Sequence, residues 1–199
     1  MIERTINNKI KDALNTYPVI VVTGARQIGK STEVYRFVKN GFKYVSLDNI
    51  DERKLAQSDP KYFIERHGYP LIIDEVQYAP VLMEVIEEIV NKNRLEQKND
   101  KGLFILTGSQ TFKLMRNVTQ SMAGRAAILY MEPLSIKEIY GEKETPFLPN
   151  ECYISQPIST SFNVKELFQQ IIHGFYPELY SNPNLTSEMF YARYVATYI

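Results

Sequence analysis

Apolar runs and helix-period patterns alternate through the first 140 residues of the chain. Residues 5–16 carry Ile6, Ile10 and Leu14 at helical spacing. Residues 18–23 (PVIVVT) form the unbroken apolar run that a fully buried strand needs. Residues 31–40 predict a helix, and residues 42–48 alternate as a second strand. Residues 51–66 read as two short helices broken at Pro60, and residues 69–74 as a third strand. Val81, Leu82, Val85, Ile86, Ile89 and Val90 then repeat at helix period, and the polar stretch 91–101 predicts a surface loop. Residues 102–107 predict a fourth strand, a short helix follows to about Gln120, and residues 126–131 predict a fifth strand.

Strands separated by helices imply an α/β class, with a parallel sheet covered on both faces. The periodicity fades near Gly141. Residues 142–162 hold three prolines among scattered polar residues and predict a linker or irregular connection, whereas residues 163–173 and 186–199 predict helices. The expected organisation is a core over residues 1–141, a connection over 142–162 and a helical segment over 163–199.

Composition changes this picture little. The 199 residues hold one full domain with part of a second, and a hydrophobic fraction of 44% supports a sizeable core. The 23 basic and 23 acidic side chains cancel, which removes a global field toward nucleic acid or anionic membrane while leaving local patches open. Cys152 stands alone, so no intramolecular disulfide forms, and His67 and His173 lack metal-ligand spacing. No apolar leader or membrane-length run is present, and the expectation is a cytoplasmic protein without a membrane partner. Phe175, Tyr176, Tyr180, Phe190, Tyr191, Tyr194 and Tyr198 read as helix packing rather than a base-stacking platform.

The candidate chemistry lies where strands end. The eight residues Gly24 to Ser31, GARQIGKS, follow the first strand and match the phosphate-loop pattern G-x-x-x-x-G-K-[ST] in full. Backbone N–H groups in such a turn, with the helix start behind them, form a nest for phosphate oxygens. Gly24, Ala25, Arg26, Gln27, Ile28, Gly29, Lys30, Ser31 and Thr32 are therefore the expected nucleotide cradle. Lys30 would reach the β- and γ-phosphates, the Ser31 hydroxyl would ligate Mg²⁺, and Thr32 would support the helix start. Arg26 and Gln27, at the tip, could touch phosphate or a partner domain.

The third strand ends in Asp74-Glu75, a Walker B-like acid pair. Asp74 would hold Mg²⁺ through water, and Glu75 would act as general base on the attacking water. The bland alternative is a pair that caps the next helix near Tyr78. A second acid after the Mg²⁺ aspartate favours hydrolysis over transfer to a small-molecule acceptor, which brings its own nucleophile. At the end of the fourth strand, Thr107 and Ser109 could each sense the γ-phosphate, and Ser109 could equally be a helix cap. Arg125, just before the fifth strand, could approach the γ-phosphate of its own or a neighbour's site, or be an ordinary helix-end arginine.

Taken together, the segments VVTGARQIGKST, YVSLDN, LIIDEVQ, FILTGSQ, MAGRAAILYMEPLS and HGFYPELY resemble the prokaryotic AAA-type ATP-binding proteins in which an ATPase domain precedes a DUF4143 C-terminal domain. The resemblance runs from about residue 18 to 180. It implies a P-loop NTPase of ASCE type, a three-layer α/β/α sandwich with a five-stranded parallel sheet in the order 5-1-4-3-2, binding ATP and Mg²⁺. It places nucleotide roles on Gly29, Lys30, Ser31, Thr32, Asp74 and Glu75, a sensing role near Ser109 and an arginine role at Arg125. Members usually continue well beyond this chain, whose last residues sit in a helical pattern with no stop signal, so a truncated C-terminal region is expected. The expected function is MgATP hydrolysis that drives or gates a partner or C-terminal domain. The alternatives are a nucleotide-gated switch or a DNA-associated regulator with negligible hydrolysis. A homo-oligomer or protein partner is compatible with either, and nucleic acid is possible without being indicated.

Overall fold

The computed structural model describes residues 2–109, 122–142 and 163–198. The chain divides into two compact units, Ile6–Glu132 and a second made of Met1–Thr5 with Pro133–Ile199.

The first unit is built on five parallel strands: β1 (Val19–Thr23), β2 (Lys43–Ser46), β3 (Leu71–Asp74), β4 (Phe104–Gly108) and β5 (Ala126–Tyr130). Their order across the sheet is β2-β3-β4-β1-β5, the order that the resemblance implies. β1, β3 and β4 are buried along their whole length, as their unbroken apolar runs require. Val19, Val21, Leu71, Ile73, Phe104 and Leu106 face one way, into a single apolar cluster. That cluster is closed by α4 (Pro60–His67), through Phe63 and Ile64, and by α5 (Leu82–Leu95), through Leu82, Met83, Val85, Ile86 and Val90. Successive strand residues alternate faces, so Ile20, Val22, Ile72 and Ile105 point the other way, and they too are fully buried. On that side α1 (Ile6–Leu14) packs on β1 and β5, and α2 (Lys30–Tyr35) on β3 and β4. Each such aliphatic side chain contributes about 1.5–3 kcal/mol by leaving water.

Local chemistry sets the boundaries. The helix expected over residues 31–40 is α2 followed by a tighter 3-10 segment, Arg36–Asn40, which ends at Gly41. α3 (Ile50–Ser58) is capped by the Asn49 side chain, and Asp59 closes it and caps α4, with Pro60 as the first residue of the new helix. The surface loop expected over 91–101 is half helix, because α5 runs on to Leu95. Its last turn carries Lys92 and Arg94, favourable at a helix C-terminus, and Asn93 is buried and donates to the Asn99 carbonyl (3.3 Å). The helix expected up to Gln120 lies outside the described residues, as does most of the connection over 142–162.

The second unit contains α6 (Ile136–Ile139), α7 (Val164–His173), α8 (Pro177–Ser181) and α9 (Ser187–Tyr198). Tyr176, Phe190 and Tyr194 stack at 4.9–5.9 Å between ring centres, and Phe190 is fully buried, so these aromatics serve packing. Within this unit Arg4 and Glu138 form a buried ion pair at 3.0 Å. Among the described residues no helix is long and apolar enough to cross a membrane.

Candidate functional site

β1 ends at Thr23, and the chain turns through residues 24–29 into α2. Gly24 (φ +148°) and Gly29 (φ +91°) adopt backbone that favours glycine. At Gly24 there is also no space for a side chain. A Cβ would run into the Met131 carbonyl oxygen and lie 2.7 Å from Ile28 Cδ1. Ile28 is fully buried and anchors the loop from beneath, while Ala25 and Arg26 are exposed at its tip and Gln27 takes φ +61°. Thr32 lies in the first turn of α2.

Lys30 is 5% exposed, and its Nζ donates to the carbonyl oxygens of Gly24 (3.1 Å) and Ala25 (2.6 Å). Burial pushes the ammonium below the ordinary lysine value, the carboxylates of Glu75 and Asp74 oppose this, and Arg26 adds to it. A buried cation beneath a glycine turn suits a polyanion such as a triphosphate.

Asp74, 3% exposed, is the point where four elements meet. Its Oδ1 accepts from Ser31 Oγ on α2 (3.0 Å) and from Thr107 Oγ1 on β4, and its Oδ2 accepts from the Tyr44 hydroxyl on β2 (2.8 Å). Burial, then the Asp74 charge and the bond to it, raise the Tyr44 phenol above its ordinary value, so it stays a donor. Ser31 Oγ and the Asp74 carboxylate are hard oxygen donors side by side, of the kind Mg²⁺ combines with waters and phosphate oxygens. These residues fit that ion.

Glu75 follows with φ +57° and ψ +44°, left-handed backbone in which a non-glycine residue stores roughly 1–3 kcal/mol of strain. Thr107 holds it there: its hydroxyl accepts from the Glu75 N–H (3.2 Å) while donating to Asp74. The Glu75 carboxylate accepts at Oε2 from Gln77 Nε2 and from Ser109 Oγ (3.4 Å). It does not cap the 3-10 turn Val76–Tyr78 that begins after it. The capping alternative for the acid pair is not realised at Glu75.

The structure therefore brings Lys30, Ser31, Asp74, Glu75, Thr107 and Ser109 together at the carboxyl end of the sheet. It does not bring Arg125 to the P-loop of its own chain. The Arg125 carbonyl accepts from Val19 N–H (3.3 Å) at the amino end of β1, whereas the P-loop leaves the carboxyl end, roughly 16 Å away at strand rise. Its guanidinium is held on α5 by Asn91 (2.9 Å) and Glu87 (3.3 Å). Two further residues of the site carry little local signal in the sequence. Tyr44 looks like an ordinary strand aromatic, and only the pairing of β2 with β3 sets it beside Asp74. Gln77 carries one usable signal, its place two residues after the general-base candidate.

A strand, a glycine turn over a buried lysine and a helix, beside a strand-end Asp-Glu pair, define the P-loop class of nucleotide-binding ATPase modules. Within that class the assignment is direct: residues 16–140 match the AAA domain family, and the chain belongs to it. Two uncharacterized proteins, one of Mycobacterium tuberculosis and one of Mycobacterium bovis, are each 27% identical over 134 residues, covering 66% of this chain and 29% of the relative. The matched segment thus spans less than a third of the length of these relatives. The Walker-type ATPase of Pyrococcus abyssi shares the fold at 16% identity and a TM-score of 0.50, over 71% of this chain and 56% of that one. AMPPCP-bound DnaA from Aquifex aeolicus aligns at 15% identity and a TM-score of 0.46, over 73% of this chain and 55% of that one.

Proposed function

We propose that this AAA-type module binds MgATP and hydrolyses it, and that its nucleotide state drives or gates a protein partner or a C-terminal domain in the cytoplasm. The observation that carries the reading is the interlocked set Lys30, Ser31, Asp74, Thr107 and Glu75 at the carboxyl ends of β1, β3 and β4. The backbone of residues 24–29 and the Lys30 ammonium hold the phosphates and offset their charge. Ser31 and Asp74 would hold Mg²⁺, which would offset negative charge on the triphosphate when bound. Glu75 accepts a proton from water as the water oxygen bonds to the γ-phosphorus. The bond from that phosphorus to the β–γ bridging oxygen breaks, and ADP leaves with the electron pair.

Arg125 has a catalytic role in this reading only toward a neighbouring copy, since strand length separates it from its own P-loop. Mixing Arg125→Ala with Glu75→Gln chains tests this, because one interface in the mixture pairs an intact arginine with an intact base. Activity above that of either variant alone is the expected result, and additive inactivity removes the role.

The reading as a whole is tested by ATP turnover in Lys30→Ala and Glu75→Gln. Both are expected to lose it, by about 10²-fold or more, with nucleotide binding kept in Glu75→Gln. Unchanged turnover in both variants would overturn the assignment. Tight nucleotide retention without phosphate release in the unmodified protein would instead favour the switch.

A further inference from the structure

Glu75 is a short-lived base if nothing aims it, because a glutamate side chain has three rotatable bonds and this one stands beside the Lys30 cation. The structure aims it. Thr107 fixes its main chain, and both side-chain donors that reach the carboxylate, Gln77 Nε2 and Ser109 Oγ, arrive at the same oxygen, Oε2. No described residue donates to Oε1. The Gln77 amide can face only this way, since turning it over would set its oxygen against the carboxylate. Its own Oε1 is buried and finds no hydrogen-bond partner among the described residues. That oxygen has no surface open to water, so the amide acts on the site through its N–H alone.

Resting on the hydrolytic reading above, we propose that Gln77 is the positioning residue for the general base Glu75. Its Nε2 locks Glu75 through Oε2 and leaves Oε1 as the proton acceptor. A base held in one rotamer meets the attacking water at one place, and that placement is what the in-line displacement at phosphorus needs. Ser109 supports the lock from the adjoining strand end, at the longer distance of 3.4 Å.

Three variants test this. Gln77→Met keeps the length and loses both polar atoms, Gln77→Glu keeps an acceptor but repels Glu75, and Glu75→Gln is the reference for loss of the base. Turnover is measured beside binding of a fluorescent ATP analogue and of ADP with aluminium fluoride, which captures the in-line arrangement without hydrolysis. Gln77→Met and Gln77→Glu are expected to lower kcat about 10- to 100-fold with ATP affinity within twofold of the unmodified protein. Affinity for the ADP–aluminium fluoride complex is expected to fall in parallel with kcat, and the melting temperature to hold. If the unmodified protein turns over, Glu75→Gln does not, and Gln77→Met matches or exceeds the unmodified rate, this proposal is overturned while the hydrolytic reading stands. It is equally overturned if the loss lies in ATP affinity or in folding rather than in kcat. If the unmodified protein does not turn over at all, the hydrolytic reading fails first and takes this one with it.

Discussion

The two ends of one parallel sheet are built on different rules. At the carboxyl ends of β1, β3 and β4, polar groups are buried and shared: Lys30 is 5% exposed, Asp74 3%, and Thr107 is fully enclosed. At the amino ends the charges are paired near the surface, as in Arg94–Asp100 (2.7 Å) before β4 and Arg125–Glu87 (3.3 Å) before β5. Parallel strands all point one way, so residues far apart in sequence converge at their carboxyl ends, and that end is where ligands bind in open α/β sheets. Burying charge there costs several kcal/mol unless each group is paired, which is why the side chains interlock so completely. The amino ends only return the chain to the next strand, and their ion pairs are worth little.

The comparison can be broken at several points. The largest effect is expected from Gly24→Ala, where positive φ and the Met131 carbonyl leave no room for a Cβ. Strain and overpacking together should cost about 2–4 kcal/mol in denaturant unfolding, with nucleotide binding lost. Thr107→Val comes next. It leaves the Glu75 N–H without its acceptor and takes a donor from Asp74, so unfolding should show a loss of about 1–3 kcal/mol and turnover a fall of more than tenfold. Retained turnover in Thr107→Val would mean that the hydroxyl bridge is structural only.

Tyr44→Phe removes one donor from Asp74 Oδ2 without touching the P-loop. Titrating Mg²⁺ should show half-saturation raised about three- to tenfold, the equivalent of one ordinary net hydrogen bond of about 0.5–1.5 kcal/mol, with kcat recovered at high Mg²⁺. The smallest effect belongs to the other end of the sheet. Asp100→Asn, which breaks a partly exposed pair, should shift stability by less than about 1 kcal/mol and leave turnover within twofold. A larger loss there would erase the contrast between the two ends.

Much of this site is legible in the sequence alone, because its signals are local. The glycines at 24 and 29, the lysine between a buried strand and a helix start, and the acid pair ending an apolar run are each written within a few residues. The elements missed were short ones. α6 announces itself only by the capping box of Ser135 and Glu138, and α8 by Pro177 at a helix start. Two amphipathic helices show where periodicity stops being informative. α5 buries Leu82, Met83, Val85, Ile86 and Val90, whereas α7, with as clear an apolar stripe, has no buried residue and leaves Phe168 60% and Ile172 73% exposed. A stripe states that a face is apolar, and not what covers it.

By itself the sequence determined the strand–turn–helix cradle, the parallel α/β class and the acids at the end of β3, since backbone conformation and periodicity are properties of neighbouring residues. Only the tertiary structure decided which hydroxyls meet which carboxylate. The insertion of β4 between β1 and β3 puts Thr107 between Asp74 and Glu75, the pairing of β2 with β3 brings Tyr44 to Oδ2, and the length of β1 keeps Arg125 from its own P-loop. Those are long-range pairings, set by how the whole sheet packs, and no short stretch of chain encodes them.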